Sequence, residues 1–233
     1  MIFAKHGPVR TLKRKIFLGL RHHGTLEDVF TRIYARNHWG GSESRSGPGS
    51  DLRSTEAIRA ALPGLVKQHD VHRFLDVPCG DFNWMQHVVD DLGVAYIGGD
   101  IVVPLIEHNQ RRWGGENVAF DQMDLTCDPL PPADLMLVRD CLFYLSYAEI
   151  LKFLHNFCRA DIRLLLTTSH WPPTGRNMDT VSGGWRFLYL CSPPFCFPEV
   201  PLCHIPDYSE SALLLFDRAQ VIAARDAMDS EIR

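Results

Sequence analysis

The run Phe74-Leu75-Asp76-Val77 stops abruptly at Pro78-Cys79-Gly80-Asp81, and Asn83-Trp84-Met85 then opens a pattern that can turn helical. An apolar, partly β-branched run broken in this way predicts a strand, a tight turn and a helix start. A turn of that kind leaves unpaired backbone N–H groups at a helix N-terminus. Gly80 carries no Cβ, so a ligand can approach the backbone there closely. Little else in the chain constrains its architecture as strongly.

A second acidic residue closes the next strand-like run, Tyr96-Ile97-Gly98-Gly99-Asp100-Ile101. It lies about as far past the turn as the ribose-binding carboxylate of a nucleotide fold, roughly 20 residues. The two stretches together predict an adenosine-type cofactor on the C-terminal edge of a parallel sheet. A dinucleotide fingerprint needs three glycines to seat its pyrophosphate. Here only Gly80 stands in the turn, and Asp81 follows it directly. A carboxylate in that place repels a pyrophosphate and suits a cofactor bearing a sulfonium and an amino group. Asp76, just before the turn, points the same way.

At this point the chain resembles the class I S-adenosylmethionine-dependent methyltransferases. Their first motif runs acidic residue, two variable residues, a small residue that is commonly Gly, then Gly. Asp76-Val77-Pro78-Cys79-Gly80 matches it, with Cys79 in place of the commoner glycine. The resemblance covers about Trp39 to Asp217, with motifs near Asp76–Asp81, Asp100, Asp124 and Asp140 in the same order and spacing. It is nearest to bacterial methyltransferase-like proteins of unassigned substrate. It implies S-adenosylmethionine as cofactor and leaves the acceptor open.

Size and composition agree with one soluble enzyme domain plus extensions. A chain of 233 residues can bury a full α/β core. A net charge of −4 gives no argument for a nucleic-acid partner, and no apolar run approaches the roughly 18 residues of a membrane span. Seven cysteines in mostly apolar surroundings fit a reduced, cytoplasmic protein. Cys191, Cys196, Cys203 and His204 come nearest to a metal pattern but include no Cys-x-x-Cys pair, so no metal is expected. Met1 to Gly24 holds Lys5, Arg10, Lys13, Arg14, Lys15 and Arg21 without an acidic residue. This reads as a solvated basic arm, with at most peripheral contact to an anionic membrane surface.

Residues 1–50 are expected to form this arm, a helix over Leu26–Arg36 and a Gly/Ser-rich lid; residues 51–233 form the main domain. Helical spacing of Leu26, Val29, Phe30, Ile33 and Tyr34 supports the first helix. The stretch Asn37–Ser50 contains Trp39, which a pure linker does not need, and the hydroxyls of Ser44, Ser46 and Ser50 suit ligand contacts. Asp51 or Ser54 can cap a helix to Leu62 or Lys67, which Pro63-Gly64 can divide. Strands are expected at 71–77, 96–101, 117–123, 135–138 and 163–169, with helices at 83–92, 104–113 and 147–158. The last of these starts with a capping box from Ser146 and Glu149. This alternation predicts a Rossmann-like, doubly wound, mostly parallel sheet with helices on both faces. A long Pro/Gly/aromatic segment, about 170–206, reads as the acceptor-substrate loop. A final, antiparallel strand at 212–217, a helix at 218–228 and a frayed charged tail complete the chain.

The resemblance also assigns roles. Asp124 would accept a hydrogen bond from the adenine amino group and Leu125 would pack on the ring, with Asp121 as the alternative to Asp124. Residues before the first motif would cover the cofactor. The expected cofactor set is Trp39, Ser46, Asp76, Pro78, Cys79, Gly80, Asp81, Asp100, Ile101, Asp124, Leu125 and Arg139. Strand four would end beside the transferable methyl group, which brings Arg139, Asp140 and Tyr144 to the chemistry. Methyl transfer from a sulfonium is an in-line displacement in which the protein positions the acceptor and excludes water. A hydroxyl or ammonium acceptor also needs a base. Asp140 and His170 are the candidates, with Tyr144 orienting the acceptor. Arg139 can pair with an acidic substrate or simply with Asp140. The stretch after strand four lacks the Asn/Asp-Pro-Pro-Tyr/Phe signature, which favours a small-molecule, sugar or lipid acceptor over nucleic acid. Two other readings stand beside this one: a cofactor-binding protein without catalysis, and an NAD-dependent oxidoreductase.

Overall fold

The computed structural model describes residues 24–232, so the basic N-terminal arm lies outside the described residues. Seven strands form one sheet in the order β3-β2-β1-β4-β5-β7-β6. They are β1 (Arg73–Asp76), β2 (Ala95–Asp100), β3 (Val118–Gln122), β4 (Ala133–Val138), β5 (Ile162–His170), β6 (Cys203–Pro206) and β7 (Ser211–Asp217). The first five are parallel, and β7 runs antiparallel to both β5 and β6. The strand order reverses between β1 and β4, the place where open α/β sheets form a ligand crevice.

The helices are α1 (Leu26–Ala35), α2 (Glu56–Gln68), α3 (Val89–Leu92), α4 (Val103–Trp113), α5 (Tyr147–Arg159) and α6 (Arg218–Ile232). Period-two alternation sends neighbouring strand residues to opposite cores. Met136, Val138, Leu165 and Phe216 pack with α5 and α6. Leu135, Leu137, Leu166 and Leu215 pack with α2 and α4. All six residues of β4 are buried, as a central strand covered on both faces requires. The expected capping box holds: the Ser146 hydroxyl accepts from Glu149 N while Glu149 accepts from the Ser146 backbone.

Four expectations are corrected. No full helix follows the glycine turn; residues 83–92 form only a 3-10 turn at Met85–His87 and the four-residue α3. Gly80 and Phe82 both take positive φ, 56° and 58°, which interrupts helical progression. Phe82 instead buries its ring against Tyr96, Trp113 and Phe120, with centroids 5.4, 5.4 and 4.9 Å away. Second, α2 runs undivided through Pro63, and Thr55 rather than Asp51 or Ser54 precedes it. Third, residues 203–206 leave the long loop to become the edge strand β6, where Pro206 is tolerated. Fourth, α6 continues to Ile232, so the described part of the tail is helical.

Candidate active site

One cavity of about 320 Å³ opens at the β1/β4 reversal. Its lining includes Asp76, Pro78, Cys79 and Gly80 after β1, Asp100 and Ile101 after β2, and Asp124 and Leu125 after β3. From the other side come Arg139, Asp140 and Tyr144 after β4 and His170 at the end of β5. Trp39 and Ser46 reach it from the segment between α1 and α2. Of the residues expected in the site, only Asp81 is missing from this lining.

Asp81 faces the other way because its carboxylate is already used. It accepts from Ser44 Oγ at 2.9 Å, Arg45 N at 2.8 Å and Ser46 Oγ at 3.1 Å, while its own N–H donates to Ser46 Oγ at 2.9 Å. Of the serine hydroxyls expected to reach a ligand, those of Ser44 and Ser46 instead hold residues 44–46 on the glycine turn, and Ser44 does not line the cavity. Asn83 adds bonds to Glu43 and to the Ser50 carbonyl, 2.8 and 3.0 Å. Gly80 is required here: a Cβ would stand 2.4 Å from Ser46 Oγ.

The free N–H groups expected of the turn are likewise satisfied inside the protein. Cys79 N donates to Gly99 O at 2.8 Å, and Gly80 N to Asp100 Oδ2 at 3.2 Å. Asp100 Oδ1 accepts from Val102 N at 3.0 Å. Burial pushes the Asp100 carboxyl up to about 6 against those two bonds. Asp76 accepts from the Tyr96 hydroxyl at 2.7 Å. Burial pushes it up to about 7, with the Tyr96 bond opposing. Asp124 spends Oδ1 on its own turn, accepting from Thr126 N and Thr126 Oγ1 at 2.8 and 2.7 Å. Asp121 is exposed on β3 and outside this cavity, so the alternative to Asp124 falls away.

The far side is built differently. Arg139, with a 4% exposed side chain, makes a two-pronged bond to Asp207, Nε to Oδ2 and Nη2 to Oδ1, both 2.9 Å. Its Nη1 lies 3.6 Å from Asp140 Oδ2, and its guanidinium stands 5.7 Å from the ring centroids of Trp84 and of Tyr208. The expected partnership with an acidic substrate is thus corrected: Arg139 already holds two carboxylates. Asp140 sits at φ 52°, an uncommon setting for a non-glycine residue that clusters at functional sites. Thr168 Oγ1 accepts its N–H at 2.9 Å and donates to Asp140 Oδ1 at 3.4 Å. Burial raises the Asp140 carboxyl, with Arg139 opposing. Gly49 lies directly over this group; a Cβ there would come 2.5 Å from Asp140 Oδ2 and 2.8 Å from the Tyr208 ring.

His170 Nδ1 is held by the Leu188 backbone, 3.0 Å from Leu188 N and 3.3 Å from Leu188 O; with Nδ1–H donating to that carbonyl, Nε2 keeps a lone pair. Phe143, Trp185 and Phe187 surround it with centroids 5.7, 5.8 and 4.8 Å away, and burial lowers its basicity below that of an ordinary histidine. Tyr144 packs against Phe143 and Trp39, 4.7 and 5.7 Å between centroids.

The segment 171–202 is mostly a packed insertion rather than a cavity wall. Asn177 ties it together through Tyr189 O, Ser192 O and Pro193 O, and Leu188, Leu190 and Phe195 are fully buried. Arg186 fastens it to the exit of β4 by donating to the Leu145 carbonyl. Only Trp185 of this stretch lines the cavity; the rest of that wall is Tyr208, Ser209 and Ser211 from the β6–β7 hairpin. Sequence reasoning missed these because it missed β6. The polar run Asp207-Tyr208-Ser209-Glu210 between two apolar segments was the available hairpin signal. It also missed Tyr34, Trp84 and Met123, which line the cavity as ordinary apolar positions.

No protein-family model and no curated protein sequence matches the chain. Solved structures do resemble it. PigF with SAH has a TM-score of 0.59 at 13% identity, over 90% of this chain and 66% of that one. The Burkholderia thailandensis 1,6-didemethyltoxoflavin-N1-methyltransferase, with 1,6-didemethyltoxoflavin and S-adenosylhomocysteine bound, has 0.56 at 14%, over 93% and 92%. Human N-acetylserotonin methyltransferase in complex with SAM has 0.54 at 13%, over 82% of this chain and 59% of that one. The chain has the Rossmann-like fold of the class I S-adenosylmethionine-dependent methyltransferases. It spans less than two thirds of the length of the human enzyme and of PigF, and nearly all of the toxoflavin enzyme. Within the class I fold, the cavity occupies the crevice at the switch point. Among the described residues no helix is long and apolar enough to cross a membrane, and no group of His, Cys, Asp or Glu is arranged to hold a metal ion.

Proposed function

We propose that the protein binds S-adenosylmethionine in this cavity and transfers its methyl group to an oxygen or nitrogen atom of a small-molecule, sugar or lipid acceptor. The observation that carries the reading is the charge of the lining. Asp76, Asp100, Asp124 and Asp140 face the cavity, and the single Arg or Lys among the lining residues, Arg139, is already bonded to Asp207. A sulfonium and an ammonium complement such a surface. A pyrophosphate does not, and the N–H groups that would seat one are occupied by protein acceptors. This argues against the NAD reading. The volume, about 320 Å³, lies at the lower end of the roughly 300–1,000 Å³ typical of small-molecule sites.

In this reading Asp100 takes the ribose hydroxyls, and Leu125 and Ile101 pack on the base, with Asp124 Oδ2 as its polar partner. Residues 39–50 act as a lid. Bound S-adenosylmethionine supplies an activated methyl group. The chain's own residues hold the acceptor in line, keep water out under the lid, and take a proton at Asp140 or at His170. Half-buried Tyr144 and the more exposed Tyr208 orient the acceptor and stay protonated, since loss of water around each ring raises both phenols.

The test is titration calorimetry of the purified protein with S-adenosylhomocysteine, with NAD in parallel. Micromolar binding of the first and none of the second is expected. Failure of a folded protein to bind S-adenosylhomocysteine, with or without candidate acceptors present, rejects the reading.

A further inference from the structure

The acceptor half of the cavity has a composition that the cofactor does not account for. Across the sheet, Asp76, Gly80, Asp100 and Asp124 belong to the β1–β3 side, and Asp140 to the β4–β5 side. On the β4–β5 side the lining is aromatic: Phe143, Tyr144, Trp185 and Tyr208, with Trp39 packed on Tyr144. Most of these rings contact one another or share His170 as neighbour, at centroid separations of 4.7, 5.7, 5.7 and 5.8 Å for the Phe143–Tyr144, Trp39–Tyr144, Phe143–His170 and His170–Trp185 pairs. The Tyr208 ring stands beside the Asp140 carboxylate: a Cβ on Gly49 would meet both, at 2.8 and 2.5 Å. Arg139 is not free for an anionic acceptor: Nε and Nη2 are bonded to Asp207, and Nη1 stands 3.6 Å from Asp140 Oδ2.

Resting on the proposed methyl transfer, we infer that the acceptor is an amine: its ammonium enters an aromatic cage closed by the Asp140 carboxylate, and acceptors bearing carboxylate or phosphate beside the reacting atom are turned away. Aromatic faces attract a desolvated cation, and a carboxylate at the end of the cage adds a charge-assisted hydrogen bond. Asp140 then has two tasks. It binds the ammonium and accepts one of its protons, which frees the nitrogen lone pair. The nitrogen–methyl bond forms as the methyl–sulfur bond breaks, and that bond's electron pair stays on sulfur. The positive charge of the sulfonium ends on the methylated nitrogen, and Asp140 returns its proton to water as product leaves. Arg139 already stands beside Asp140, its charge shared with Asp207, and His170, made less basic by burial, adds no second cation.

The experiment uses three probes with one ring and different heads: phenethylamine, 2-phenylethanol and phenylacetate. Each is titrated into the full chain saturated with S-adenosylhomocysteine, and in parallel into the cofactor-free chain by thermal shift. The amine is expected to bind at least tenfold more tightly than the alcohol, with the carboxylate weakest. Asp140→Asn should erase the preference for the amine while S-adenosylhomocysteine still binds, which also shows that the variant is folded. Trp39→Leu should weaken the amine more than the alcohol. Equal affinities for amine and alcohol, preference for the carboxylate, or no measurable amine binding at millimolar concentration overturns the inference. Loss of S-adenosylhomocysteine binding in the wild type overturns the cofactor reading instead, and an Asp140-dependent shift with the amine alone then still reports on the cage.

Discussion

The two halves of the cavity are assembled by different means. On the β1–β3 side each key group sits at the end of its own strand, and its partners are backbone N–H groups or a neighbouring strand's side chain: Gly80 and Val102 for Asp100, Tyr96 for Asp76. On the β4–β5 side the groups are joined by contacts distant in sequence: Arg139 with Asp207, Asp140 with Thr168, His170 with Leu188. The first half is a property of the fold, and the second a property of how this chain elaborates it. Under the proposed function the first half holds the cofactor and the second chooses the acceptor.

The strongest way to break the second half is to remove its central cation. Arg139→Met leaves Asp207 and Asp140 facing each other without compensation. Breaking a buried pair by deleting one partner costs about 3–5 kcal/mol, which for a chain of this size lowers Tm by roughly 6–20 °C. A thermal melt checks this. A loss under about 1 kcal/mol would show that the Arg139–Asp207 pair does not hold the hairpin.

The first half responds instead to pH. Asp76 is pushed up to about 7 and Asp100 to about 6, in both cases chiefly by burial. A carboxyl raised in the folded state contributes stability that is full below its unfolded value near ~4 and is lost as pH rises through the folded value. Ligand-free protein should therefore lose stability between pH 5 and pH 8, a tenfold difference in proton affinity between the folded and unfolded chain being worth about 1.4 kcal/mol. Urea unfolding at the two pH values measures it. Asp76→Asn should flatten the profile, and S-adenosylhomocysteine should bind more tightly at pH 8 than at pH 5.5. A flat wild-type profile would mean that water reaches both carboxylates.

Asp100→Ala tests the same half at its ligand. One charge-assisted contact is worth roughly 1.5–3 kcal/mol, about 10- to 150-fold in affinity for S-adenosylhomocysteine. Asp100→Asn, which keeps a carbonyl oxygen for one of the two N–H groups, should lose less. Unchanged affinity in both variants would remove Asp100 from the site.

The contrast also explains what could be read from the sequence. Asp76, Gly80, Asp100 and Asp140 lie at strand ends, and strand ends announce themselves through period and turn chemistry, so their convergence in one crevice was legible. The helix after Gly80 was not. Its failure depends on Phe82 finding Tyr96, Trp113 and Phe120, three residues contributed by later elements. Tyr208 and Asp207 were hidden for the same reason: β6 has only four residues and exists because β7 offers it an edge. Arg139 shows the limit most plainly. Its position was read correctly, and its chemistry was set by a residue 68 positions away.

Asp81 is where the two kinds of reading can be set against each other by one substitution. As a cofactor ligand it would belong with Asp100. As observed, it fastens residues 44–46 to the glycine turn through three donors. Asp81→Asn removes the charge and turns one acceptor into a donor that faces other donors. At this half-exposed position the expected cost is about 1 kcal/mol, confined to the lid. Hydrogen exchange of residues 41–50 in the ligand-free protein should quicken about fivefold, with Tm almost unmoved, and S-adenosylhomocysteine should dissociate faster with only a modest loss of affinity. A loss as large as that of Asp100→Ala, with exchange of residues 41–50 unchanged, would return Asp81 to the cofactor and leave this segment to its bonds with Asn37, Leu52 and Asn83.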